Sequence, residues 1–357
     1  MSENRSELNI ARAAGQRTVC FDYLRVFAAF GVMVLHTAAQ YWGSIPVTSD
    51  TWLVFHCFNG AVRWVVPVFL MVSGALFVGR DVPMKKLYGK YIFRLVLAYC
   101  AWSAFYMLFT QGSPLRHLKI FVFGHYHMWF LPLLIGLYIC QPFFHAIASD
   151  RRRLRYFLVL AILLAFLLPT VSNLMQDHLP GLGAQGGRYF VRLVERLNIH
   201  MVMGYAGYFA LGYYLATEEL SKKTRMILYF LGLAAAAATI LLSRAESLAA
   251  GEPRETYFEG TNINILLQAA AVFVFFKYRR YDSPRWNGIM QKMGKYSFGA
   301  YLVHPFFQER LHHAGLDTLS FDSPVLAVIT MSILLFVLSF PVSFVLNQIP
   351  FVKKNLV

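Results

Sequence analysis

Residues Phe21–His36 read FDYLRVFAAFGVMVLH. The stretch is apolar enough to lie in lipid, yet it carries Asp22, Arg25 and His36. A charged side chain inside a bilayer costs at least a few kcal/mol, so such residues usually line a cavity and mark function. Eleven helical steps of about 100° carry the chain from Arg25 to His36 and end roughly 20° past three full turns. The two residues therefore share one helix face, about 16 Å apart along the axis. Asp22, at i−3 from Arg25, can pair with it on the same stripe. The ordinary alternative is an Arg25 that snorkels to the nearer interface and a His36 that bonds a neighbouring helix.

The rest of the chain has the same character. Of 357 residues, 57% are hydrophobic and 14% charged, against roughly 25% charged in soluble domains. The expected class is an all-α integral membrane protein. Ten apolar segments approach the roughly 20 residues that a bilayer requires: 19–41, 54–78, 89–110, 127–148, 154–170, 199–216, 225–243, 262–278, 296–311 and 324–347. Lys and Arg alternate between the loops of these segments, 22 on one side and 8 on the other. That bias predicts ten transmembrane helices with both termini cytoplasmic. The layout is a polar N-terminus over 1–18, a membrane domain over 19–347 and a cytoplasmic tail over 348–357. The net charge of +15 lies in short loops between apolar runs, so nucleic acid is not expected as a partner. The first apolar run is longer than the roughly 7–15 residues of a cleavable signal core. Cys20, Cys57, Cys100 and Cys140 fall in or beside apolar segments without C-x-x-C pairing. They are expected as buried small side chains, with no disulfide and no metal site.

Further polar residues sit at membrane depth. Arg63 lies in the second segment, near the depth of His36, and Pro67 cannot bond the carbonyl of Arg63 four residues back. Ser73-Gly74 permits close helix contact. The fourth segment opens with HYHMWFLP, which puts His127 and Trp129 near its outer end, where Trp is also a common interface anchor. In the ninth, Ser297, Tyr301 and His304 follow at i, i+4 and i+7, and Pro305 frees the Tyr301 carbonyl. Lys90 and Arg94 begin the third segment from the cytoplasmic side, where they serve as positive-inside charges or as phosphate ligands. Arg188, Arg192 and Arg196 form a basic face opposite Tyr189, Leu193 and Leu197, as in an interfacial helix that meets lipid phosphates.

Taken in order, DYLRVFAAFGVMVLH, VPVFLMVSGALF, HMWFL, GYFALGYYL and YSFGAYLVHP resemble the acyltransferase-3 family of membrane-bound O-acyltransferases over about 19–347. Asn59 and the Arg63-x3-Pro67 step are similar in particular to the branch containing the O-acetyltransferase of enterobacterial common antigen. The resemblance implies a multi-pass enzyme of the bacterial cytoplasmic (inner) membrane. Such an enzyme moves an acyl group, most commonly acetyl, from cytoplasmic acyl-CoA to a hydroxyl of a surface glycan or its lipid-linked oligosaccharide precursor. It implies functional roles for Arg25 and His36 as the catalytic pair. Asp22, Lys90 and Arg94 are then candidates for the donor, acetyl-CoA. The family often spaces its basic pair Arg-x2-Arg, and here the spacing is Lys90-x3-Arg94. Arg63, His127, Trp129, Tyr301 and His304 are candidates for the acceptor or the oxyanion. Membrane lipids are the expected surroundings, and the sequence is compatible with a homo-oligomer. Intramembrane charge and broken helices also mark transporters and glycan exporters, which usually carry an inverted repeat in their hydropathy; none is visible.

Overall fold

A computed structural model describes residues 19–110, 112–179 and 181–357; the expected polar segment 1–18 lies outside the described residues. The described chain is helical, and eight of its helical runs, among them Asp50–Phe77 and Pro114–Ile139 with a break inside, are long and apolar enough to cross a membrane. Numbered in chain order, the first four helices are α1 (Val19–Ala39), α2 (Asp50–Ala61), α3 (Val65–Phe77) and α4 (Met84–Phe109). Next come α5 (Pro114–Phe123), α6 (Phe130–Ile139), α7 (Gln141–Ala148) and α8 (Arg151–His178). They are followed by α9 (Leu182–Glu195), α10 (Ala206–Thr217), α11 (Lys222–Ala250) and α12 (Ile263–Tyr278). The chain closes with α13 (Pro284–His313), α14 (Pro324–Leu346) and α15 (Pro350–Asn355).

The ten expected segments all fall on helices, but two are not among the eight. The sixth is α10, only 12 residues long, and it ends where Thr217 and Glu218 leave the apolar run. The ninth belongs to α13, whose helix starts at Pro284, well before the apolar part, and carries Arg285, Lys292 and Lys295 in its first turns. These charges dilute the hydropathy without breaking the helix. The fourth segment begins earlier than expected, because α5, a short 3₁₀ turn (Tyr126–Trp129) and α6 form one run.

α1 is central and packs against α2, α3, α12, α13 and α14. Its Asp22 is fully buried, and Gly294 of α13 lies against it. The tightest helix pair is α3 with α10. A Cβ on Gly74 would fall 1.8 Å from the Phe209 carbonyl oxygen, and one on Gly212 would fall 2.0 Å from that of Met71. Small residues are what allow apolar helices to approach this closely in lipid, where packing rather than water expulsion drives association.

Two breaks shape the interior. Residues 62–64 interrupt the run from α2 to α3, four residues ahead of Pro67, which leaves Arg63 on the break. Gly124 has φ 78°, a left-handed conformation that suits glycine; it ends α5 and turns His125 and His127 inward, where both are buried. Cys20 is buried as expected and Cys57 half-buried, whereas Cys100 is exposed on α4 and Cys140 at the turn between α6 and α7. A helix with one face toward lipid presents apolar residues there too, so an apolar segment does not by itself imply burial. All four thiols are free.

Gly212→Ala is expected to destabilise the protein by about 1–3 kcal/mol through overpacking, seen as a lower melting midpoint in detergent. Gly136→Ala, whose Cβ meets nothing within 4 Å, should leave the midpoint unchanged. Equal midpoints for the two would show slack between α3 and α10.

Candidate active site

α1 is a wall shared by two cavities. The cavity at its Val19 end has a volume of about 470 Å³ and is lined in part by Arg25, Tyr91, Arg94, Tyr138, Lys295 and Lys353. The cavity at its Ala39 end, about 440 Å³, is lined in part by His36, Arg63, His127, Trp129, Tyr205 and Glu259. Val32, Val66 and Tyr301 line both. The two spaces thus meet across a partition of three side chains. The Arg25–His36 stripe runs along α1 from one space to the other.

The first cavity is cationic. Arg25 Nη1 lies 3.8 Å from Asp22 Oδ1. Arg94 donates to the Val357 carbonyl, and Trp102 Nε1 donates to the Leu356 carbonyl at 3.1 Å, so residues 356–357 are held against α4. α15 then brings Lys353 to the cavity. Lys295 and Lys353 are exposed and stand at its mouth. A π-helical turn over Leu87–Ile92 lies at the start of α4, a distortion frequent at functional sites. Lys90 lies in that turn, exposed, with Nζ 5.8 Å from the Tyr91 ring centre; it is not among the lining residues. Asp22 is likewise not a lining residue but the partner of one. A guanidinium and ammonium set of this kind is suited to phosphate.

The second cavity is a histidine chamber. The His36 and His304 ring centres are 5.1 Å apart, and those of His127 and His304 are 5.6 Å apart. Pro305 leaves the Tyr301 carbonyl without a helical partner, and His304 Nδ1 takes it up at 2.7 Å. Tyr301 donates its hydroxyl to the His127 carbonyl, which ties the 3₁₀ turn to α13. Arg63 sits over the Phe258 ring at 4.2 Å with Nη2 3.7 Å from Glu255 Oε1, and its Nε is buried without a partner among the described residues. Trp129 packs beside Tyr205, ring centres 5.7 Å apart. An aromatic edge next to carboxylates can receive a polyhydroxylated ring.

Arg188 and Arg192 line a separate cavity of about 290 Å³ between α8 and α9, with Asn173 and Gln176. Arg196 caps the end of α9 and is exposed. Tyr189, Phe190 and Leu193 are exposed on the same helix. This arginine set lines neither main cavity. Ser297 lines the first cavity.

Several residues of the site escaped sequence reasoning. In the sequence Lys295 and Lys353 read only as charges flanking apolar segments. Glu255 and Glu259 lie in a connection between apolar runs. His125 was passed over beside His127, although HYHMW carries both; its partner Glu309 is 184 positions away, a separation that a single sequence does not bridge.

A cationic cavity and a histidine-lined cavity thus meet at a shared partition inside a bundle of helices long and apolar enough to cross a membrane. The acyltransferase-3 family model, an acyltransferase domain, matches residues 18–348. The chain belongs to that family, and it is a multi-pass membrane acyltransferase. No curated protein and no solved structure matches the chain.

Tyr301→Phe removes the hydroxyl that satisfies the His127 carbonyl. The expected cost is about 1–3 kcal/mol for an unpaired buried acceptor, read as a lower melting midpoint in nanodiscs with the fold retained. An unchanged midpoint would show that the 3₁₀ turn is held without Tyr301.

Proposed function

We propose that the protein transfers an acyl group, most commonly acetyl, from cytoplasmic acyl-CoA to a hydroxyl of an extracytoplasmic glycan or its lipid-linked precursor. The observation that carries this reading is the pair of cavities joined at Val32, Val66 and Tyr301. In it the chain crosses the cytoplasmic membrane ten times with both termini inside, so the Val19 end of α1 faces the cytoplasm. Arg25, Arg94, Lys295 and Lys353 bind the phosphates and polar arm of the donor. Asp22 holds Arg25, and Lys90 adds positive charge outside the cavity. The thioester passes the partition and stops at His36, which acts on it.

The acceptor comes from the opposite side. Trp129 and Tyr205 give its sugar ring a platform, and Glu255 and Glu259 accept hydrogen bonds from its hydroxyls. Arg63 is placed to steady the oxyanion of the tetrahedral intermediate, an arrangement whose individual donors are worth about 10²–10³ in rate. Arg188, Arg192 and Arg196 meet the phosphates of membrane lipid or of a lipid-linked acceptor. Asn59 and the Arg63–Pro67 step, which resemble the common-antigen branch, support acetyl as the group transferred.

Purified protein in lipid nanodiscs, given radiolabelled acetyl-CoA and candidate lipid-linked glycans, should release CoA and label the glycan. His36→Ala at matched expression should lose about 10²–10⁴-fold of that rate. No turnover with any acyl-CoA in the wild type would sink the proposal. Lys295→Gln should raise the donor KM roughly tenfold at little cost in kcat, the worth of one charge-assisted hydrogen bond. A change confined to kcat would remove Lys295 from the donor site.

A further inference from the structure

His127 has a feature that neither His36 nor His304 shares, namely a carboxylate behind it. Glu309 Oε1 lies 3.0 Å from His125 Nε2, and His125 Nδ1 lies 3.1 Å from His127 Nδ1. His127 is 1% exposed, lines the second cavity, and its Nε2 is buried with no hydrogen-bond partner among the described residues. The three side chains form a line from the exposed side of α13 into the chamber, Glu309 being 32% exposed at its outer end.

With Glu309 ionised and both imidazoles neutral, hydrogen-bond chemistry sets the protons of the line. An ionised carboxylate only accepts, so His125 Nε2 carries the hydrogen that it donates to Glu309. A neutral imidazole has one donor and one acceptor, which makes His125 Nδ1 the acceptor. His127 Nδ1 then donates, and its Nε2 is left as a buried lone pair on a residue that lines the cavity. The line is rigid as well as polarised. Tyr106 stacks on the His125 ring at 4.3 Å and 9°, and its own hydroxyl donates to the Leu302 carbonyl at 2.7 Å. The backbone of His127 is tied to Tyr301. His304 Nδ1 donates to a carbonyl and its Nε2 is likewise buried and unpartnered, but among the described residues no carboxylate chain stands behind His304 or bonds to the His36 ring.

We infer that His127 is the base that takes the proton from the acceptor hydroxyl, with His125 and Glu309 as positioning residues that set its tautomer and stabilise its charged form. This rests on the acyl-transfer reading above. In the step, the acceptor O–H bond breaks and its proton goes to His127 Nε2. The acceptor oxygen bonds to the thioester carbonyl carbon. The C–S bond then breaks, and the departing thiolate takes up the proton as free thiol. The positive charge on His127 is shared along the bond to His125 and met by the Glu309 carboxylate. His36 is thereby left to the donor side of the reaction, at the thioester.

Two measurements on the full chain in nanodiscs test this. With ¹⁵N-labelled histidine, the His127 ring, assigned by its loss in His127→Gln, should show a protonated Nδ1 and a bare Nε2. Glu309→Leu removes the acceptor of the His125 Nε2 hydrogen and should release the fixed tautomer of both rings, whereas Glu309→Asp should keep it. With acetyl-CoA and an acceptor that the wild type labels, His127→Ala and Glu309→Gln should each lower kcat by about 10²-fold or more at a similar donor KM. Glu309→Asp should restore part of the loss. A protonated Nε2 on His127 in the wild type overturns the assignment whether or not any acyl group is transferred, and a kcat within about threefold of wild type for Glu309→Gln does so too. An enzyme with the expected tautomer but no acyl transfer would instead refute the donor and acceptor assignment and leave the relay standing.

Discussion

Asp22 and Arg25 make the organising contact of the molecule. A lone guanidinium within an apolar helix bundle is costly, and a partner on the same stripe reduces that cost. Asp22 is buried where α1 meets α13, against Gly294, so the carboxylate that holds Arg25 also fixes the seam between these helices. The remainder follows from this seam. α13 brings Tyr301 and His304 alongside His36, and its other end carries Lys295 to the cationic mouth. Asp22 is wholly buried while Arg25 reaches the cavity, so the pair is a structural commitment as much as a feature of the site.

Helical breaks do for the chamber what the seam does for the bundle. A straight helix through residues 114–139 would present its histidines on a turning surface. The Gly124 turn and the 3₁₀ segment instead point His125 and His127 to the same interior. The break at 62–64 likewise sets Arg63 over Phe258 rather than toward lipid. Irregular backbone at membrane depth is tolerated only where protein or a water-filled cavity surrounds it, and both breaks border the second cavity.

How much of this was legible in the sequence depended on the range of the interaction. The stripe from Arg25 to His36 is a property of one helix, and its periodicity was visible at once. Pro305 and the freed Tyr301 carbonyl were visible for the same reason, since a proline acts four residues back. The all-helical class followed from composition. Contacts between distant segments were not legible. Nothing in PFVKKN announces that Lys353 returns to the mouth of a cavity begun by α1, and nothing near Glu309 names His125. Length was misleading where charge and apolar residues share one helix, as in α13. Apolar character also left burial undetermined, as with Cys100 and Cys140.

Val32, Val66 and Tyr301 have an electrical consequence. Wherever two cavities from opposite faces are open to water, the transmembrane potential no longer falls evenly across the roughly 30 Å hydrocarbon layer. It concentrates over the thin septum between them. One elementary charge moved through 100 mV is worth about 2.3 kcal/mol, and here most of that drop would be compressed into the thickness of two valines and a tyrosine. In the proposed reading, any charged group displaced across this septum during a catalytic cycle would do work against the membrane voltage, which would make the three residues insulator as well as passage.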